Sequence, residues 1–302
     1  MEKNPRRKHS RDVFYKYMSA DTAKAVLRGR SFRWSSPLLF NDPFDVPREL
    51  AFGVSPDAIL DAVARRWVEL LRNPPKDCTH LNATVQMVLQ SAHAVDRTAL
   101  VDGIAAKVAV GLKTSNQEKQ SASLEAVRQM WRDTLPGLRI LCLSGSPGKT
   151  SMWYHYAEKY TGAVIEVACS DELDSPWIAA EAVQYPKEPP EIFTPVGWGH
   201  LLTLKLELAV EEMLRGYIFH KTPDWSYEEE WRVFAFKSRP EDTGQYFDYP
   251  VHEGNFLRVF LGPRMADADR AELLSIVGEE MPHMKAYRAQ FELDRRFSFH
   301  LI

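Results

Sequence analysis

The feature that most constrains the fold is a change in the spacing of apolar residues along the chain. Near the N-terminus, and again beyond residue 138, apolar and polar residues alternate with a period of about two, which is typical of β-strands. Between about residues 55 and 135, apolar residues recur every three or four positions, as in amphipathic helices. The sequence therefore predicts an α+β fold, a mixed β core with a mainly helical insertion at about 55–135.

Local patterns predict the individual elements. Val13–Tyr17 and Ser31–Ser35 alternate like strands, and a helix over Asp21–Arg28 is expected between them, with Ser19 as its N-cap and Gly29 at its end. The polar run Lys113–Ser123 is predicted to be a linker. Further strands are expected over Leu138–Ser144, Ala163–Ala168, Trp231–Phe236 and Phe256–Leu261, and helices over Met152–Tyr160 and His200–Phe219.

Composition bounds the class of protein. Apolar residues make up 45% of the chain and charged residues 26%, values of a folded globular protein, and a single domain is expected over residues 13–302. Residues 1–12 are expected to be a flexible, solvated basic leader. The chain carries a net charge of -3, which argues against a chain-wide nucleic-acid surface. No apolar run is long enough for a membrane helix and no signal region is present, so a cytoplasmic protein without a membrane partner is expected.

Two familiar kinds of site are excluded by spacing. The segment Gly145–Thr150 superficially resembles a phosphate-binding loop, but two residues separate its glycines where that motif needs four. His155 has no metal-binding partner at a suitable spacing, and no metal is predicted. The three cysteines, Cys78, Cys142 and Cys169, are far apart and are expected to be reduced thiols.

The densest group of polar residues is Tyr227–Arg232. Strand alternation would place Glu228, Glu230 and Arg232 on one face. Two carboxylates beside an arginine can shift each other's proton affinity or bind a sugar hydroxyl, as catalytic carboxylates do. A solvated strand edge or a structural ion pair is the alternative.

Several motifs resemble the domain of unknown function 2971 family, in the same order along nearly the whole chain. They are Tyr15-Lys16-Tyr17, Phe40–Asp45, Trp153 through Tyr156-Ala157 to Gly162, Tyr227–Arg232 and Val259–Met265. That family assigns no reaction.

The order of motifs is also similar to the ADP-ribosyltransferase fold. That resemblance implies that Tyr15, Lys16 and Tyr17 bind the ribose and diphosphate of NAD. It implies that Glu230 is the catalytic carboxylate, with Glu228 positioning the acceptor or its proton. Lys16 stands where such proteins usually carry histidine or arginine. The remaining NAD-binding residues implied by the resemblance are Ser144, Ser146, Trp153, Tyr156 and Arg232.

The resemblance implies an enzyme that consumes NAD by transferring ADP-ribose or by hydrolysis, in the manner of a toxin or phage-defence effector. The acceptor is open, and nucleic acid enters only as a possible acceptor. Lys16, Ser144, Trp153, Tyr156 and Glu230 are expected to line one pocket, and Glu230→Gln to leave folding nearly intact. The alternative is a non-catalytic nucleotide-sensing or protein-interaction module, while the carboxylate spacing gives a metal-dependent nuclease little support.

Overall fold

A computed structural model describes residues 4–50, 53–92, 101–103, 117–188 and 190–302. The chain divides into two compact units, each assembled from separate stretches of sequence. The sequence predicted one domain with one insertion, whereas the helical unit here also takes in a later segment. The sheet-containing unit comprises Met1–Asp42, Leu135–Tyr185 and Lys221–Ile302, and the helical unit comprises Pro43–Thr134 and Pro186–His220.

Ten strands form one mixed, mostly antiparallel sheet within the described residues. They are β1 (Val13–Met18), β2 (Ser31–Ser35), β3 (Leu138–Ser144), β4 (Ala163–Ala168), β5 (Glu181–Ala182), β6 (Glu230–Phe236), β7 (Tyr246–Pro250), β8 (Phe256–Leu261), β9 (Lys285–Phe291) and β10 (Phe297–Leu301). Their order is β10-β9-β8-β4-β1-β3-β2-β7, and β6 pairs with β3 and β5. The α+β class is therefore confirmed, and strand β3 lies at the branch of the sheet.

Eight α-helices of the described residues complete the elements used below. They are α1 (Ala20–Gly29), α2 (Pro56–Arg72), α3 (Ala83–Ala92), α4 (Gln117–Thr134), α5 (Thr150–His155), α6 (Pro195–Leu201), α7 (Leu206–Ile218) and α8 (Asp267–Glu280). Helices α2, α3, α4, α6 and α7 belong to the helical unit. No described helix has the length and apolar character needed to cross a membrane.

Helix α1 follows its local sequence signals closely. The Ser19 hydroxyl accepts a hydrogen bond from the Thr22 N–H, which is the predicted N-cap. The helix ends one residue later than expected, because Gly29 is still helical and Arg30 adopts the left-handed conformation at φ 45°. Lys24 ties α1 to α8 through an ion pair with Asp269 at 2.7 Å.

The described part of residues 55–135 is mainly helical, as predicted: it contains α2, α3 and α4, and residues 73–82 between α2 and α3 are not helical. The predicted linker Lys113–Ser123 is wrong from Gln117 onward, because α4 begins there, and residues 113–116 lie outside the described residues. Gln117–Ser123 is rich in good helix formers, so polarity alone was misleading. The predicted helix Met152–Tyr160 is also too long, since Glu158, Lys159 and Tyr160 have positive φ.

Apolar side chains pack against both faces of the sheet. On one face, Phe14 belongs to a large cluster with α1 and α8. On the other face, Tyr17 packs with Trp153 and Phe260. Because side chains alternate along a strand, Tyr15 and Tyr17 share the second face, which we call the tyrosine face, whereas Lys16 lies on the first.

The described part of the basic leader makes specific contacts. The Arg7 Nε donates to Asp171 Oδ1 at 2.6 Å. The guanidinium of Arg11 donates to the Gly145 carbonyl at 2.5 Å. A freely solvated leader was expected, but these bonds tie residues 7 and 11 to the sheet unit.

Candidate functional site

The two glutamates of the candidate site lie on different elements. Residues Pro223–Glu228 form a 3-10 helix, and Glu229 follows in the left-handed conformation at φ 45°. Strand β6 begins only at Glu230. The predicted placement of Glu228 on one strand face with Glu230 is therefore wrong, because the turn at Glu229 precedes the strand.

Lys221 brings the two carboxylates together. Its Nζ donates to Glu228 Oε2 at 2.7 Å and to Glu230 Oε2 at 3.5 Å. All three residues are buried, with exposures of 8%, 2% and 6%, respectively. The same ammonium lies 4.5 Å from the ring centre of Trp225. Sequence inspection missed Lys221, because no spacing rule connects it to the glutamate pair.

Glu230 is held in a two-pronged ion pair on the strand. The Arg232 Nε donates to Glu230 Oε1 and the Arg232 Nη2 donates to Glu230 Oε2, both at 2.8 Å. The predicted proximity of these two residues on one face is confirmed, and it follows from the i, i+2 spacing of a strand. The Tyr185 hydroxyl accepts the backbone N–H of Glu230 at 3.0 Å and fixes the start of the strand.

The environments of the two carboxylates move their pKa values in opposite directions. Burial raises the pKa of Glu228, and the nearby negative charge of Glu230 raises it further, against the opposing effect of Lys221. Burial also works to raise the pKa of Glu230, but Arg232 and Lys221 together outweigh it and lower that pKa to about 2. Glu228 and Glu230 are thus a divided carboxylate pair, meaning that their pKa values are shifted in opposite directions. Such a pair suits one carboxylate that stays ionised and one that carries a proton.

The half-buried Tyr156 and the buried Ser144 also bond to Glu228. The Tyr156 hydroxyl donates to Glu228 Oε1 at 2.5 Å, and the Ser144 hydroxyl donates to the Glu228 carbonyl at 3.0 Å. Burial, followed by the charge of Glu228, raises the pKa of Tyr156, so its hydroxyl keeps its proton and acts as a donor.

The three sequence motifs meet in one register row. Tyr15 of β1 is paired with Ser144 of β3, and Ser144 is paired with Glu230 of β6. Directly paired residues of antiparallel strands lie on the same face of a sheet. Tyr15, Ser144 and Glu230 therefore form a line across three neighbouring strands on the tyrosine face.

The loop after β3 is held by two aromatic side chains. The Tyr17 hydroxyl donates to the Ser146 carbonyl at 2.8 Å and accepts the Lys149 N–H at 3.2 Å. The Trp153 indole donates to the Pro147 carbonyl at 2.8 Å. The Ser146 hydroxyl accepts the Gly148 N–H at 3.2 Å. These contacts give Tyr17 and Trp153 a role in fixing the loop.

Lys16 is separated from the rest of the predicted site. It lies on the opposite face of β1, and its Nζ donates to the Cys142 carbonyl at 2.7 Å. It lines a groove with Asp21, Arg33 and Asp248, and Glu230 is not among the lining residues. The expectation that Lys16 and Glu230 line one pocket is therefore wrong, because one residue of strand alternation separates Lys16 from Tyr15 and Tyr17.

The described residues contain no group of three or more histidine, cysteine, aspartate or glutamate side chains arranged to hold a metal ion. No family model matches the chain, and no curated protein or solved structure matches it significantly.

Proposed function

We propose that this chain binds NAD on the tyrosine face and breaks the bond between nicotinamide and ribose, transferring ADP-ribose to a macromolecule or to water. The observation that carries the proposal is the register row of Tyr15, Ser144 and Glu230. These residues come from the three separate motifs that resemble the ADP-ribosyltransferase fold. Their alignment on neighbouring strands supports a common ligand.

The divided carboxylate pair supplies suitable chemistry. When the bond from the ribose C1′ to nicotinamide breaks, its electron pair leaves with nicotinamide and positive charge develops on the sugar. A carboxylate fixed in its ionised form stabilises that charge, and the low pKa of Glu230 suits it to this role. The acceptor then attacks C1′, and its proton passes to Glu228, whose pKa is raised.

The surrounding residues fit supporting roles. Ser144 and Tyr156 hold Glu228 by hydrogen bonds to its carbonyl and carboxylate. Arg232 fixes Glu230 in one orientation. We assign Ser146 to the nicotinamide side of the site, on the loop that Tyr17 and Trp153 hold in place. Lys16 has no part in this proposal.

Nicotinamide release from NAD by the full chain tests the proposed reaction. We expect Glu228→Gln and Glu230→Gln each to lower the rate by about a hundredfold or more, since each removes a group acting at the reacting sugar. Glu229→Gln is the matched control, because Glu229 lies between them but pairs with Lys149 at the surface. Its rate should equal that of the wild type.

A non-catalytic nucleotide-sensing or interaction module is the second candidate, and one observation favours it. Glu230 is paired with both Arg232 and Lys221 in a buried position, which suits a structural ion pair. Thermal shift with NAD separates the two candidates. Stabilisation by NAD without nicotinamide release supports the sensing module. If NAD neither stabilises the chain nor is cleaved by it, the interaction module is supported.

A toxin or phage-defence role belongs to the catalytic proposal. Expression of the wild-type chain in bacteria should then slow growth and lower cellular NAD, whereas the Glu228→Gln chain should do neither. Slow growth with unchanged NAD would contradict this role.

A further inference from the structure

Strand β4 contains a buried carboxylate that the proposed reaction does not use. Glu166 interrupts the apolar run Ala163–Val167 and is 1% exposed. It is paired in register with Tyr15 of β1 on one side and with Arg258 of β8 on the other. Arg258 is in turn paired with Lys285 of β9. The row of Glu230, Ser144 and Tyr15 therefore continues across three more strands.

The contacts of Glu166 join its neighbours in this row. Its Oε2 accepts a hydrogen bond from Arg258 Nη1 at 3.2 Å. Burial raises the pKa of Tyr15, and the charge of Glu166 and a hydrogen bond to it raise that pKa further. Glu166 thus contacts the side chains on both sides of it.

This arrangement is a poor device for stability alone. A buried carboxylate loses its hydration, and a pair with an arginine that is 47% exposed returns little of that loss. What the pair does achieve is a fixed guanidinium at the surface of the sheet. The contact with Glu166 engages Nη1, and a guanidinium has five N–H donors in a planar fork that matches phosphate oxygens.

The charges around Arg258 favour an anion. Lys285, the next residue of the row, is exposed. Two cations, Arg258 and Lys285, therefore follow the buried Glu166 at this end of the row. The distance from Ser144 to Arg258 is three strand spacings, about 14 Å, which is within the length of an extended dinucleotide.

We infer that Arg258 and Lys285 bind the diphosphate of a nucleotide lying along this row, with Glu166 and Tyr15 as positioning residues for the guanidinium. The identity of the ligand rests on the proposed NAD function. The anion site itself rests on the register, the burial of Glu166 and the two cations Arg258 and Lys285.

Isothermal titration of the full chain with ADP tests this subsite. Because Arg258→Gln alone would leave the buried Glu166 without its cation, the principal variant is the double change Glu166→Gln with Arg258→Gln. We expect it to weaken ADP binding about ten- to a hundredfold, the effect of losing a charge-assisted contact. Arg258→Lys should fall between the double variant and the wild type, since lysine keeps the charge and loses the fork.

Arg288→Gln is the matched control. Arg288 is an exposed arginine on the same strand as Lys285, and strand alternation places it on the opposite face. It should bind ADP as the wild type does. The inference is overturned if the wild type does not bind ADP, or if the double variant binds ADP as tightly as Arg288→Gln does. It is also overturned if inorganic phosphate binds as tightly as ADP, which would indicate a free-phosphate site.

Nicotinamide release measured on the same variants separates the two proposals. ADP binding that depends on Arg258, without any release from NAD, supports the subsite and contradicts the reaction. Release from NAD with a KM that is unchanged in the double variant supports the reaction and overturns the subsite.

Discussion

The changes Glu230→Gln and Glu228→Gln should act differently on the free energy of unfolding. The first should lower it, and the second should leave it unchanged or raise it. Glu230→Gln keeps the shape of the side chain but removes the carboxylate charge that pairs with the buried Arg232. The sequence alone suggested that folding would stay nearly intact, and the burial of the pair changes that expectation. Breaking a buried ion pair on one side typically lowers the free energy of unfolding by about 3–5 kcal/mol.

The pKa of Glu230 gives an independent magnitude. It lies at about 2 in the folded chain, against an ordinary value of 4.5. At about 1.4 kcal/mol per pKa unit, the ionised form contributes about 3 kcal/mol at neutral pH. Because the folded pKa is the lower one, this contribution is present above pH 4.5 and is lost as the pH falls towards 2. Glu230→Gln should remove it and flatten that part of the pH dependence.

The pKa of Glu228 is shifted in the opposite direction to that of Glu230. Its folded pKa is raised, so its contribution to stability is present below its ordinary pKa of 4.5 and is lost as the pH rises through the folded pKa. Glutamine resembles the protonated carboxyl group. Glu228→Gln should therefore leave the free energy of unfolding at neutral pH unchanged or increase it.

Urea unfolding followed by tryptophan fluorescence and circular dichroism measures both effects. The two variants and the surface control Glu229→Gln should be compared at pH 7 and pH 4. Equal losses for Glu228→Gln and Glu230→Gln would refute the assignment of opposite pKa shifts. A Glu230→Gln chain as stable as the control at pH 7 would refute the structural importance of the ion pair.

Three further predictions concern other positions. Tyr156→Phe should raise the pKa of Glu228 further, because the hydrogen bond from the Tyr156 hydroxyl lowers that pKa. NMR titration of the Glu228 carboxyl group would measure the shift. Arg139→Met should lower the free energy of unfolding by about 3–5 kcal/mol, since it removes the cation that pairs with the buried Asp242, and a second change of Asp242→Leu should restore most of the loss in urea unfolding. Gly162→Ala should lower the melting temperature, because its Cβ would lie 2.2 Å from a main-chain oxygen of β1. The control for this glycine change is Gly278→Ala, in open space on a helix, which should not lower the melting temperature.

Much of the fold was predictable because its signals are local. The Ser19 cap and the alternation around Phe32 define α1 and β2 without any tertiary information. Helix α8 and strands β5, β7, β9 and β10 were not predicted from the sequence. Helix α8 carries Leu273, Ile276 and Val277 at the i, i+3, i+4 spacing of a buried helix face, but the segment as a whole shows little helical periodicity.

The candidate site was predictable only where residues are close in sequence. Glu230 and Arg232 pair because they are two positions apart on one strand. Lys221 contacts Glu228 across the 3-10 turn between them. Glu166 is placed beside Tyr15 by the pairing of β4 with β1. No short sequence pattern encodes either contact. Lys16 was misassigned for the same reason, since its neighbours Tyr15 and Tyr17 face the other way.

The two candidate functions make different demands on Glu228. A group retained for structure should stabilise the fold, but a buried carboxylate with a raised pKa costs stability whenever it is ionised at neutral pH. Natural chains keep such groups where activity requires them, at the expense of stability. We therefore expect Glu228→Gln to gain or hold stability while losing nicotinamide release, measured on the same preparation. A variant that loses stability without changing NAD binding or release would place Glu228 in the interaction-module candidate.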